Sequence, residues 1–166
     1  MRATPTDLHW QCLTFAELST AQLYALLQLR SAVFVVEQRC AYTELDGKDP
    51  LPGVAHLLGS TADGSLIAYL RVLPPGLVAP EPAIGRVVIA NRQRGGGLGH
   101  RLMCEGLRQV QARWPDTAIQ LDAQAHLQTF YAAHGFASSS APHLEDGIPH
   151  ITMRRAAARA PEEPAA

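Results

Sequence analysis

At 166 residues and 47% hydrophobic content, the chain is long enough for one domain with a genuine core and too apolar for disorder over most of its length. Its formal net charge of -1 gives no electrostatic case for nucleic acid or an anionic membrane as a partner. No apolar run is long enough to cross a bilayer and Met1-Arg2-Ala3-Thr4-Pro5 opens no secretory signal, so a cytoplasmic location is expected.

In chain order, residues 8–15 alternate weakly and are expected to form a first strand. Ser19-Thr20-Ala21-Gln22 reads as a capping box, with Leu18 and Leu23 placed as a hydrophobic staple. Leu23, Leu26, Leu27, Val33 and Phe34 give the helix that follows its apolar side, with a break expected within residues 31–38. A polar, proline-bearing loop occupies residues 43–53. Its Asp46-Gly47-Lys48-Asp49 lacks the alternating oxygen ligands and terminal glutamate of a calcium loop. Residues 54–60 and 66–73 read as strands paired through Ala62-Asp63-Gly64-Ser65, and a proline-stiffened connection follows over 74–82. Cys12, Cys40 and Cys104 are too scattered for a disulfide framework.

The centre of the chain is the most informative part. Ala83-Ile84-Gly85-Arg86-Val87-Val88-Ile89-Ala90 has the β-branched density of a buried strand, and Arg94-Gly95-Gly96-Gly97-Leu98-Gly99 follows it. From His100, residues Met103, Leu107, Val110 and Trp114 then recur at helical spacing until Pro115. Strand, glycine turn and helix together aim backbone N–H groups and the positive end of a helix dipole at an anion. A P-loop would need Gly-Lys-Ser/Thr where Gly97-Leu98-Gly99-His100 stands, and a dinucleotide fingerprint would need a small residue at Leu102. Arg94-x-x-Gly97-x-Gly99 matches instead the pyrophosphate loop of acetyl-CoA-dependent N-acetyltransferases. A glycine-rich surface turn is the alternative for this segment alone. His100 and Cys104 lie one helical turn apart, but with no third or fourth ligand evident no metal is expected.

Residues 121–136 read as a strand end, a short helix, a glycine cap at Gly135 and a new strand. Residues 119–121, 136–139 and 151–154 are expected strands, the last two separated by a loop over 142–149. The chain reads as a single domain over 1–155, with an Ala/Pro/Glu-rich tail over 156–166 expected to be disordered. Phe130-Tyr131-Ala132-Ala133-His134-Gly135-Phe136 resembles the late motif of the GNAT superfamily. Leu29-Arg30-Ser31-Ala32-Val33-Phe34-Val35-Val36-Glu37-Gln38 and Glu145-Asp146-Gly147-Ile148-Pro149-His150 resemble its ElaA-like branch. Gln124 and Leu127 stand where many relatives carry Asn and Ala.

The resemblance implies an α+β fold, with a mixed, mostly antiparallel sheet splayed in a V and helices on both faces. It implies a pantetheine arm lying along the backbone of Val87, Val88 and Ile89, and a diphosphate held by Arg94, Gly95, Gly96, Gly97, Leu98, Gly99 and His100, with Gln124 near the cofactor. The expected reaction moves acetyl from acetyl-CoA to a primary amine (a small amine, an amino acid or a protein lysine) by direct attack. Alternatives are a non-catalytic acyl-CoA-binding or regulatory module, and a transferase of a different acyl-CoA. Homodimers are common among relatives, though no stretch here specifies an interface.

A lysine-like amine with a pKa of ~10.4 is almost wholly protonated near neutral pH, so a general base could contribute ~10²–10⁴-fold. Tyr131, by resemblance, is the expected acid for the departing thiolate. Glu37, whose pKa partial burial would raise, and His56 are both candidates for the base. Glu145, Asp146 and His150 are candidates for holding the acceptor. Glu44, Asp46 and Asp49 read either as a solvated acidic loop or as an attractor for a cationic acceptor.

Overall fold

In the computed structural model residues 7–40 and 42–158 are described; residues 1–6, and 159–166 of the expected tail, lie outside the described residues. The first strand, β1 (His9–Thr14), runs antiparallel to β2 (Ala55–Ser60). Between them α1 (Thr20–Arg30) starts on the expected capping box: the Gln22 N–H donates to Ser19 Oγ at 3.1 Å, and the Ser19 N–H donates to Gln22 Oε1 at 2.9 Å. The expected break is instead a change of pitch. The helix widens into a π-helical segment, Ser31–Glu37, closed by the Gln38 N–H donating to the Val33 carbonyl at 2.8 Å.

After β3 (Leu66–Leu73) and β4 (Ala83–Ile89), the chain passes through the glycine loop into α2 (Leu98–Arg113). Then come β5 (Ile119–Gln124), α3 (Gln128–Ala132), β6 (Phe136–Ser138), β7 (His143–Glu145) and β8 (Ile148–Arg155). The sheet order is β1-β2-β3-β4-β5-β8-β6, with β7 also paired to β8. Only the β4–β5 pairing is parallel among the described residues. The loop expected over 142–149 is therefore partly strand. β7 and β8 close around Asp146 and Gly147, whose positive φ values of 49° and 78° suit a tight hairpin turn that residue alternation alone does not reveal.

Adjacent strand residues point to opposite faces, and the two helix layers follow from that. Leu58, Tyr69 and Val88 pack with Leu26, Val33 and Phe34 on the α1 side. Leu57, Leu70 and Val72 belong to the other core, with Leu102, Met103, Leu107 and Val110 of α2. Gly106 permits that close approach, because a Cβ there would lie 2.6 Å from Leu70 Cδ2.

Two irregularities shape β4. Its pairing with β3 slips between Tyr69↔Val88 and Arg71↔Gly85, a bulge centred on Arg86 with φ of 53°. Toward β5, the pairing is confined to Ala83↔Gln120, supported by the Gln120 N–H donating to the Pro82 carbonyl at 3.0 Å. Beyond that point β4 and β5 diverge, and the sheet opens as a V.

Candidate active site

The V holds a cleft of about 520 Å³. One wall is Val87, Val88 and Ile89 of β4; the other is the glycine loop, with Arg94, Gly95, Gly97, Leu98, Gly99 and His100. Gly95 and Gly97 take φ of 88° and 80°, conformations that a side chain would strain, and a Cβ built on either would meet nothing within 4 Å. Gly97 is also the N-cap of α2, so the amides that follow it lack intrahelical acceptors by position. Open space in front of a helix N-terminus suits a diphosphate. Gly96 shares the loop but is not part of the cleft wall. His100 also pairs with His134, Nδ1 to Nε2, at 2.9 Å beside the Phe130 ring.

Arg94 is already engaged. Its Nε and Nη2 donate to the Ile89 carbonyl at 3.2 and 3.1 Å, and its Nη1 and Nη2 donate to the two carboxylate oxygens of Glu37. This reverses the electrostatic expectation for Glu37. The hydrogen bonds and charge of Arg94 outweigh the small effect of burial and hold the carboxyl below its ordinary pKa, unlike a poised base.

His56 is also corrected. It is fully buried and lines neither the cleft nor its smaller neighbour described below. Its Nε2–H donates to the Asp49 carbonyl at 3.0 Å, and the Tyr69 hydroxyl donates to its Nδ1 at 2.7 Å. A carbonyl only accepts, so both ring nitrogens are committed and no lone pair is left for substrate. Burial pushes its pKa down.

The acidic loop is neither solvated nor free to attract a substrate. Arg30 donates to Glu44 Oε1 at 2.6 Å and to Asp49 Oδ1 at 2.7 Å. Arg71 donates to Asp49 Oδ1 at 3.0 Å and Asp46 Oδ2 at 2.8 Å, and Arg86 reaches the Glu44 carbonyl at 3.0 Å and Asp46 Oδ2 at 3.3 Å. Burial alone would raise the Asp49 carboxyl, but the hydrogen bonds and charges of Arg30 and Arg71 more than offset it and leave it lowered.

Tyr131 stands where the cleft meets a second cavity of about 100 Å³, and it lines both. Phe130 and Phe136 meet its ring edge-on at 5.0 and 6.3 Å, and burial pushes its hydroxyl pKa up to about 12. Gln38, Val87 and Leu127 also line both spaces. The smaller cavity adds Tyr42, Arg86, Asp122, Gln124 and His150. Gln124 therefore stands on this side rather than in the large cleft, its Nε2 donating to Gln38 Oε1 at 2.9 Å. His150 belongs to this cavity, whereas Glu145 and Asp146 sit at the β7–β8 turn and line neither space. Sequence reading passed over Gln38, Tyr42, Arg86 and Asp122. Only Arg86 left a signal, a charge beside a glycine inside an apolar strand, which marks a bulge.

Among the described residues, no cluster of three or more His, Cys, Asp or Glu side chains could hold a metal ion, and no helix is long and apolar enough to cross a membrane.

Comparison with known proteins fits this geometry. A family model of the acetyltransferase (GNAT) domain matches residues 30–157. The chain is 47% identical to Escherichia coli ElaA over 148 residues, covering 89% of this chain and 96% of that one. It is similar to a crystal structure described as an acyl-CoA N-acyltransferase from Pseudomonas aeruginosa, with a TM-score of 0.85 at 49% identity, over 90% of this chain and 100% of the other. The crystal structure of Escherichia coli ElaA gives a TM-score of 0.83 at 46% identity, over 90% and 99% of the two chains. With the match running from the end of α1 through β8, the chain belongs to the GNAT acetyltransferase family and is an acyltransferase of its ElaA-like branch.

Proposed function

We propose that the protein transfers an acetyl group from acetyl-CoA to a primary amine by direct attack. The observation that carries this reading is the junction of two cavities at Tyr131, the larger bounded by a glycine loop and a helix N-terminus. The donor's diphosphate would rest on the loop amides between Gly95 and Gly99, within reach of Arg94. Its extended arm would run along β4 past Ile89, Val88 and Val87, where β5 has already diverged, so that main-chain groups bind it as an added strand. That path ends beside Tyr131, with the smaller cavity beyond it for the amine.

Direct attack is favoured by what lines the two spaces. Among the described lining residues there is no cysteine, serine or threonine, so neither wall offers the thiol or aliphatic hydroxyl on which an acyl-enzyme is ordinarily built. Tyr131 stays protonated through neutral pH and can give its proton to the thiolate as the C–S bond breaks. The narrow second cavity suits the amine-bearing end of an acceptor, whether a small molecule or an extended side chain.

The test is a calorimetric titration with acetyl-CoA followed by thiol release across a panel of primary amines. Heat of binding together with amine-dependent thiol release is the expected result. Binding without turnover on any amine would leave a non-catalytic acyl-CoA-binding module, and faster turnover with a longer acyl-CoA would replace the donor.

A further inference from the structure

His150 lies on β8, opposite Gln124 of β5 on one side and His143 of β7 on the other, and it lines the smaller cavity with Tyr131. Its Nδ1 is 2.8 Å from the carbonyl oxygen of Ile148, two residues back along the same strand. Because that oxygen can only accept, Nδ1 carries the proton of the neutral ring, and the lone pair resides on Nε2. Among the described residues, no hydrogen-bond donor engages that Nε2. Glu145 Oε2 stands 3.9 Å from it, too far for a hydrogen bond.

We propose that His150 is the general base of the transfer, acting across the smaller cavity from Tyr131. The assignment rests on the transferase reading above and supplies the step that reading leaves open. Of the two groups the sequence offers for the role, Glu37 is held by Arg94 and His56 has both nitrogens occupied; His150, expected only to hold the acceptor, combines a fixed tautomer, an uncommitted lone pair and a place on the cavity wall.

The protons balance as follows. His150 Nε2 removes one proton from the acceptor ammonium and later releases it to solvent. The amine lone pair forms the C–N bond, and the C–S bond pair leaves on sulfur, which takes the Tyr131 proton. The second proton lost by the nitrogen restores Tyr131.

The charged and titratable groups around the ring fit the role. His143 stacks at 6.4 Å between centroids and Glu145 lies beyond it on β7, while Asp122, Arg86, Tyr42 and Tyr131 share the cavity wall. Arg86 is the cation among them, and its guanidinium is already bound to Glu44 and Asp46. Asp122 accepts from the Thr152 hydroxyl at 2.7 Å and adds negative charge to the side the ammonium would approach.

The experiment compares wild type with His150→Gln, using acetyl-CoA and a panel of glycine, an alkylamine, a polyamine and a lysine peptide. Expected are a fall of ~10²-fold in kcat/KM, loss of the acid limb of its pH profile, and unchanged acetyl-CoA affinity. A variant with the wild-type rate and acid limb overturns the assignment while leaving the transferase reading intact. No transfer by wild type to any amine removes both, and acetyl-CoA binding by calorimetry then shows whether the donor site survives. Nitrogen-15 NMR of the histidine-labelled wild-type protein needs neither acceptor nor variant. The neutral His150 ring should be the Nδ1–H form, and an Nε2–H form overturns the proposal even if His150→Gln fails to fold.

Discussion

Arg94 crosses the rim of the large cleft to Glu37, a partner 57 residues away in sequence, while also bonding the Ile89 carbonyl at its own side. The guanidinium expected to meet a diphosphate thus already holds a carboxylate, and an incoming donor must compete for it. Exposed pairs of this type contribute ~0.2–1 kcal/mol, so Glu37→Gln should tighten acetyl-CoA binding about 1.5- to 5-fold. Calorimetry at low ionic strength measures this, and the gain should shrink with added salt. Weaker binding by the variant would mean that Glu37 helps to build the donor site.

Tyr131→Phe removes the hydroxyl at the junction of the two cavities and little else. It should lower kcat by ~10-fold or more with acetyl-CoA affinity unchanged. Since burial holds the wild-type hydroxyl near about 12, Tyr131 itself should impose no alkaline loss of kcat below about pH 10. An unaltered kcat in steady-state assays would remove this tyrosine from proton transfer.

Gly97→Val places a β-branched residue at φ of 80° and projects it into open space at the loop. The backbone strain is ~1–3 kcal/mol, and the methyl groups obstruct a phosphate. Acetyl-CoA affinity should fall at least ~10-fold while the far-ultraviolet spectrum stays native; retained affinity would reduce the loop to a turn.

Asp49 sits between Arg30 and Arg71 at 2.7 and 3.0 Å, so Asp49→Asn leaves two buried guanidinium groups short of a counter-charge. Removing one partner of a buried pair costs ~3–5 kcal/mol, which corresponds to about 10 °C in Tm for a domain of this size. The arginines hold Asp46 and Asp49 below their unfolded pKa values, so their contribution is complete above about pH 4 and is lost as the pH falls further toward the folded values. Thermal melts should show a shallower acid decline for Asp49→Asn than for wild type.

Local signals carried most of the fold. The capping box at Ser19 and Gln22, the apolar run ending at Ile89 and the helical spacing from Met103 to Val110 each depend on neighbours within a few residues, and each element formed where expected. Contacts that span the chain were not legible. Glu44, Asp46 and Asp49 looked like a solvated loop because their arginine partners lie up to 42 residues away on α1, β3 and β4. Whether a histidine is spare or committed depends on which carbonyl its ring meets, and residue spacing cannot separate His56 from His150. The short strand β7 escaped notice because three residues flanked by proline and a turn carry too little alternation.

Among the described residues, the single pairing of Ala83 with Gln120 divides the eight strands into two leaves, β1–β4 and β5–β8, sewn by one stitch at the base of the V. An extended molecule laid beside β4 would replace the missing stitches. Its arrival would stiffen the sheet as well as fill the cleft, so the protein's rigidity would vary with how much of its donor is present.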